Sequence, residues 1–239
     1  MFSVQEIIEK KLLSEQKDRP VTAWYSSGLG GDLVSRYLER KGVKADEEFD
    51  LRTLRVFAVG RYFEDWLTGL VGKEGENETQ VSVAWPEMDL RGRADQVFKN
   101  PSVVYEYKTM HSRGFWHMEK EGVQGKLQHR MQLWTYLHVL KIDEGRLVYF
   151  SKDDLSIAEF QVLREDKELE KLVIDELTIL NESWKAQLPP PPIVWSNGEW
   201  VKMKKDDWQA KYNRYQKQIF TQPKYFDVRK LKLNYKVNI

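Results

Sequence analysis

Arg91-Gly92-Arg93-Ala94-Asp95-Gln96-Val97-Phe98, joined by Lys99-Asn100-Pro101 to Ser102-Val103-Val104-Tyr105-Glu106-Tyr107-Lys108-Thr109, is the stretch that decides the fold. Two β-forming runs, 91–98 and 103–109, are separated by a short turn-forming segment, so consecutive antiparallel strands are expected. Residues two apart on a strand share a face, which makes Glu106 and Lys108 project together while the Tyr107 side chain points away. Hairpin pairing then brings Asp95 alongside them. Val103 to Lys108 reads as a buried segment that nevertheless carries charge, and buried charge is costly enough that it usually serves a function. The same spacing also fits ordinary surface charges, with Lys108 as the cross-strand partner of the two acids.

The pattern on either side sets the class of fold. Upstream, Phe2–Lys17 carries Val4, Ile7, Ile8 and Leu12 near the helical period and is ended by Pro20. A second helix is expected after Gly30-Gly31, with Leu33, Val34, Tyr37 and Leu38 on one face, and a longer third over Leu51–Val71, which contains Glu64. Gln80–Trp85 is expected to be the first strand of a three-strand meander. Downstream, helical spacing runs from Phe115 to Leu140 with a break around Gly122 and Gly125, followed by strands at Arg146–Ser151 and Ile157–Leu163. An amphipathic helix through Leu169, Leu172, Val173, Leu177, Leu180 and Trp184 must stop at Pro189–Pro192. This order predicts an α+β protein, a central mixed sheet flanked by helices. The proline run divides a core, 1–192, from a basic, aromatic-rich C-terminal segment, 193–239, expected to pack on it.

Composition narrows the chemistry. The 239 residues include no cysteine, which excludes disulfides and thiolate-held zinc or iron-sulfur sites and leaves oxygen or imidazole ligands for any metal. Met1 to Arg19 has no continuous apolar leader and no later stretch approaches a membrane span, so a cytoplasmic protein without membrane association is expected. The net charge is only +1, yet Ser196–Ile239 holds eleven Lys or Arg against four Asp or Glu. Such asymmetry points to nucleic acid as a partner, or to a solvated charged surface. An acidic pair beside a lysine suits phosphodiester hydrolysis: carboxylates hold a hard cation, the cation acidifies a bound water and stabilises phosphate charge, and the lysine positions that water.

The pieces around this pair resemble the RecB-like and lambda-exonuclease-like branch of the PD-(D/E)XK nuclease superfamily. Gly60-Arg61-Tyr62-Phe63-Glu64 looks like its first motif, Gly92-Arg93-Ala94-Asp95 its second, Glu106-Tyr107-Lys108 its third, and Gln132-Leu133-Trp134-Thr135-Tyr136 its Q-x-x-x-Y motif. The resemblance implies a restriction-endonuclease-like core. It also implies that Glu64, Asp95, Glu106 and the Tyr107 carbonyl ligate magnesium or manganese, that Lys108 orients the attacking water, and that Gln132 and Tyr136 stand beside the site. At both ends the chain is also similar to the CRISPR-associated and viral members that carry an iron-sulfur cluster, through Ser26-Ser27-Gly28-Leu29-Gly30-Gly31 with Arg36-Tyr37 and through the prolines before the C-terminal segment. Without cysteines that cluster is expected to be absent, with Trp195, Trp200, Trp208, Tyr212 and Tyr215 taking over its stapling role.

His111, His117, His129 and His138 show no metal-ligand spacing and read as surface or structural residues, with His111 and His129 as candidate phosphate contacts. Arg113, Lys126 and Arg130 are the stronger candidates for gripping a DNA backbone, and ordinary helix-surface charge is the competing reading for each. The activity expected is a metal-dependent deoxyribonuclease, an exonuclease on DNA ends in recombination, repair or phage-type processing, working alone or with a helicase or annealing protein. A structure-dependent or site-specific endonuclease and a non-catalytic DNA-binding accessory protein are the alternatives.

Overall fold

The computed structural model describes residues 3–16, 20–120 and 124–239. Helix α1 (Val4–Glu15) starts at Ser3, whose hydroxyl accepts from the Glu6 N–H, and buries only Leu12. Its expected end residues Phe2 and Lys17 lie outside the described residues. Strand β1 (Trp24–Tyr25) leads to α2 (Leu33–Arg40), where the Asp32 carboxylate accepts from the N–H groups of Val34 and Ser35 and Leu33, Val34, Tyr37 and Leu38 are buried on one face. That cap and that periodicity are sufficient reason for the helix. Asp50 caps α3 (Leu51–Val71) in the same way through the Thr53 N–H.

The strands follow as β2 (Asn77–Trp85), β3 (Leu90–Lys99) and β4 (Ser102–Met110), each antiparallel to the one before. Helices α4 (Ser112–Lys120) and α5 (Leu127–Leu140) then carry the chain over the sheet so that β5 (Glu144–Ser151) lies parallel to β4, and β6 (Ile157–Leu163) turns back antiparallel. The expected break in the 115–140 helix is present: Gly125 sits between α4 and α5 at φ +84°, while Gly122 lies outside the described residues. α6 (Lys167–Lys185), capped by Asp166, completes the main layer. The result is the expected mixed sheet flanked by helices. Among the described residues no helix is long and apolar enough to cross a membrane.

Strand alternation divides the sheet's contacts. Val104, Met110, Leu147 and Tyr149 join the main core with α5 and α6, whereas Tyr107, Val148 and Phe150 form a small cluster with Leu67 of α3. Glu106 and Lys108 alternate with Tyr107 and so share the α5 face. A register detail places the site. β3 and β4 are paired from Lys99↔Ser102 to Gln96↔Tyr105, and beyond that point β3 instead pairs with β1, Trp24↔Leu90 and Tyr25↔Arg91. The two strands therefore part at Asp95 and Glu106, opening a fork beneath α5.

The C-terminal segment contributes β7 (Ile193–Ser196), β8 (Glu199–Lys202) and β9 (Val237–Asn238), a second sheet of three strands, with two single-turn helices between the last pair. Trp200, Met203, Ala210, Ile219 and Val228 are buried in the same core as α2 and α6. Of the five expected stapling aromatics, Trp200 and Tyr215 are buried, and Trp195 packs on Trp200 and Tyr235. Trp208 and Tyr212, on and just after a four-residue helix, are 59% and 80% exposed and contribute little to the buried core. Buried Asp175 of α6 fastens the tail by accepting from the Asn234 and Tyr235 backbone N–H groups at 2.8 and 2.9 Å and from the Asn234 side chain at 2.9 Å. Asp175→Ala strands these donors and is expected to cost about 1–3 kcal/mol in chemical denaturation; an unchanged denaturation midpoint would show that the tail does not stabilise the core.

Candidate active site

Where β3 and β4 part, the Tyr107 N–H has no strand partner and donates instead to Asp95 Oδ2 at 2.8 Å. Both backbone groups of one residue leave a strand by the same edge, so the Tyr107 carbonyl also faces the fork. Glu106 is fully buried, with one oxygen bonded to the Lys108 ammonium and the other, Oε2, buried without a hydrogen-bond partner. On the α5 face above them, Gln132 Nε2 donates to the Tyr136 hydroxyl at 2.9 Å, and that hydroxyl lies 2.8 Å from Ser26 Oγ. A solvated position for Gln132 is thus ruled out. Gly92 lets this network close down on β3: a Cβ there would stand 2.2 Å from Ser26 Oγ and 2.6 Å from the Tyr136 ring.

Glu64 reaches the site from α3 and accepts from Gln80 Nε2 at 2.7 Å. Gln80 lies directly across the β2–β3 pair from Asp95, between Thr79↔Gln96 and Val81↔Ala94, and holds φ at +54°. That left-handed backbone is unfavourable for a residue with a side chain and tends to occur where geometry serves a site. The sequence gives Gln80 no site role, and gives Ser26 none beyond its place in the 26–31 segment, because their contacts at the site depend on the fold. Gln80 was expected only as the first residue of a strand that in fact begins at Asn77.

The electrostatics describe a surplus of negative charge. Burial raises the Asp95 carboxyl well above the usual range, and the nearby Glu106 and Glu64 charges push it further, against the pull of Lys108. Burial likewise raises Glu106, offset in part by Lys108. Burial opposes the Lys108 ammonium, but Glu106 and Asp95 outweigh it and hold the lysine above its ordinary value, fully protonated. Among the described residues no three His, Asp or Glu side chains close into a metal-holding group. Each acid has its own partner: Glu106 is bonded to Lys108, Glu64 accepts from Gln80 and Asp95 accepts from the Tyr107 N–H. The donor chemistry nonetheless fits a hard divalent cation, because Glu106 Oε2 is a buried anionic oxygen with nothing to bind and Asp95 and the Tyr107 carbonyl face the same gap.

The candidate DNA-gripping residues divide. Lys126 and Arg113 are exposed on the flank formed by α4 and α5. Arg130 is engaged by Asp166 at 3.1 Å, which leaves it less available for phosphate. His129 does not suit the role: its Nδ1 lies 2.7 Å from the Tyr149 hydroxyl, and burial together with the Lys108 and Lys126 charges lowers its pKa to about 3, so the ring is neutral. His111 pairs with Asp153 at 2.9 Å.

A strand fork carrying two acids and a lysine, with a third acid from a helix, has oxygen donors suited to a hard cation and a positive group suited to a phosphate. No protein-family model matches the chain. By sequence it is 28% identical over 132 residues to the CRISPR-associated exonuclease Cas4 of Saccharolobus solfataricus (strain ATCC 35092 / DSM 1617 / JCM 11322 / P2), a match spanning 52% of this chain and 61% of that relative's length. That relative is a CRISPR-associated exonuclease, one of the groups that the motifs resemble. Solved structures with some likeness include that of SSO0001, at 20% identity and TM-score 0.47 over 78% of this chain and 93% of that one. Another is LHK-Exo, an alkaline exonuclease of Laribacter hongkongensis, at 16% identity and TM-score 0.47 over 69% and 92%.

Two outcomes follow from the geometry. Asp95→Asn keeps an oxygen for the Tyr107 N–H and removes one crowded negative charge. Because Asp95 titrates higher folded than unfolded, its ionisation destabilises the fold as pH rises from its ordinary value through the raised one. The metal-free variant is therefore expected to be more stable than wild type at neutral pH, by roughly 0.5–2 kcal/mol; equal or lower stability in thermal melts would contradict the charge surplus. Gly92→Ala is expected to cost about 1–3 kcal/mol through overpacking against Tyr136 and Ser26, and a melt like wild type's would show that the network is loose.

Proposed function

We propose that this chain is a divalent-metal-dependent deoxyribonuclease, an exonuclease on DNA ends in recombination, repair or phage-type processing. The observation that carries the reading is the β3–β4 fork, where the unpartnered Glu106 Oε2, Asp95 and the Tyr107 carbonyl meet beside a protonated lysine. Its exonucleolytic mode is supported by the match to an exonuclease. Glu64, Asp95, Glu106 and the Tyr107 carbonyl would hold magnesium or manganese, which when bound supplies an acidified water and charge for the phosphate oxygens.

The chain's own groups do the rest. Lys108 cannot act as a base while its neighbours keep it charged. It would hold the attacking water and a phosphate oxygen by donating hydrogen bonds, while Glu106 would serve as a ligand to the metal. Gln80 fixes the Glu64 carboxylate, and the Ser26–Tyr136–Gln132 chain fixes the wall above Glu106 and excludes water from it. Lys126 and Arg113 would steer the backbone toward the fork. No iron-sulfur chemistry enters, since the chain has no cysteine.

Cleavage of end-labelled DNA should vanish in chelator and return with magnesium or manganese; full activity after exhaustive metal removal would dismiss the mechanism. Covalently closed circular DNA should resist, and its efficient cutting would make the enzyme an endonuclease. Lys108→Ala should retain metal and DNA binding while cleavage falls by roughly 10² to 10⁴. Glu106→Gln should lose metal affinity itself, an amide being a poor ligand for a hard cation. A folded Lys108→Ala protein that cuts at the wild-type rate would make the third-motif strand structural.

A further inference from the structure

Among the cavities outside the fork, one has three tryptophans in its wall. It encloses about 470 Å³ between Gly30-Gly31, the first turn of α5, α6 and the C-terminal segment. Trp195, Trp200 and Trp208 line it together with Met131 and Leu172. Trp195 and Trp200 meet edge to face with ring centroids 6.0 Å apart, and the exposed Trp208 indole offers a flat aromatic ring a face to stack on. Trp200 is 2% exposed and its Nε1 has no hydrogen-bond partner, an N–H that an ordinary packed core would have satisfied.

The rim adds the complementary charge. Lys126 lines the cavity and is the N-cap of the 14-residue helix α5, and no side chain caps the first turn. The positive end of a helix and a lysine together suit a phosphate. The cavity's carboxylate, Glu176, is buried and spent: it is bonded to Arg36 and accepts from the Gly30 N–H at 2.8 Å, so it does not oppose an anion. The position is also right. The Lys126 N–H donates to the Tyr149 hydroxyl at 2.9 Å, and Tyr149 is the β5 partner of Lys108. A strand whose scissile phosphate sits at Lys108 would pass the helix end one strand-spacing, about 4.8 Å, further over.

We propose, resting on the nuclease reading above, that this cavity is a nucleobase pocket. It takes one unstacked base of single-stranded DNA between the indoles while the adjoining phosphate lies against Lys126 and the α5 amides. A base held there separates single strands and frayed ends from intact duplex before the backbone reaches the fork.

Fluorescence anisotropy in chelator reads this without cleavage. The probes are a labelled thymidine hexanucleotide, an abasic phosphodiester strand of equal length and a blunt hairpin duplex. The wild-type protein should prefer the base-bearing strand to the abasic one by about tenfold or more. Trp208→Ala, at an exposed position that leaves the fold intact, should remove most of that ratio with abasic binding unchanged. Lys126→Ala should weaken both single strands and flatten their salt dependence. Equal affinity for base-bearing and abasic strands, or a ratio untouched by both Trp208→Ala and Trp195→Ala, overturns the pocket. Metal-dependent cleavage with no base preference would sink the pocket and leave the nuclease standing; base preference in a protein that cuts nothing would do the reverse.

Discussion

Everything at the centre of this protein depends on one hydrogen bond, from the Tyr107 N–H to the Asp95 carboxylate. It replaces the strand-to-strand bond that β4 loses when β3 turns away toward β1. A fork in a sheet leaves backbone donors and acceptors unpaired in a buried place, which is expensive unless something polar satisfies them. Asp95 satisfies the donor. The carbonyl on the same edge is left facing the gap, beside Glu106, whose second oxygen also lacks a partner. The geometry that opens the sheet thus also collects acceptors around one point, and the surrounding burial makes their negative charge strong.

The remaining architecture holds that fork in place. α5 closes over it through Gln132, Tyr136 and Ser26, a contact possible only because Gly92 has no side chain to obstruct it. α3 closes the opposite side, where Leu67 meets Tyr107, Val148 and Phe150, and delivers Glu64 to Gln80. The stability of the assembly is bought partly against the interest of the site: burial and neighbouring negative charge raise the Asp95 and Glu106 carboxyls, and Lys108 holds the two in a charge balance that a divalent cation would redistribute. Sites poised in this way trade stability for the ability to bind.

Much of this was legible in the sequence because it follows from short-range rules. The period of two in 103–109 puts Glu106 and Lys108 on one face, and the period of 3.6 puts Gln132 and Tyr136 on another. What escaped depends on register and third dimension. Gln80 faces Asp95 only because of how β2 pairs with β3, and its φ of +54° has no signature in the residue itself. Of the two readings of His129, structural residue and candidate phosphate contact, the fold favours the first by pressing the ring against Tyr149 and keeping it neutral. The outward turn at Trp208 and Tyr212 likewise comes from the path of the C-terminal segment, which composition cannot reveal.

The account stands most directly on where a metal binds. Crystals grown with manganese and measured at a wavelength where it scatters anomalously would show this without assay or mutation. The account predicts an anomalous peak in the β3–β4 fork, at about 2.1–2.3 Å from oxygens of Asp95, Glu106 and the Tyr107 carbonyl, with Lys108 moved off Glu106. A peak elsewhere, or a fully loaded crystal in which Glu106 remains bound to Lys108 alone, would contradict it.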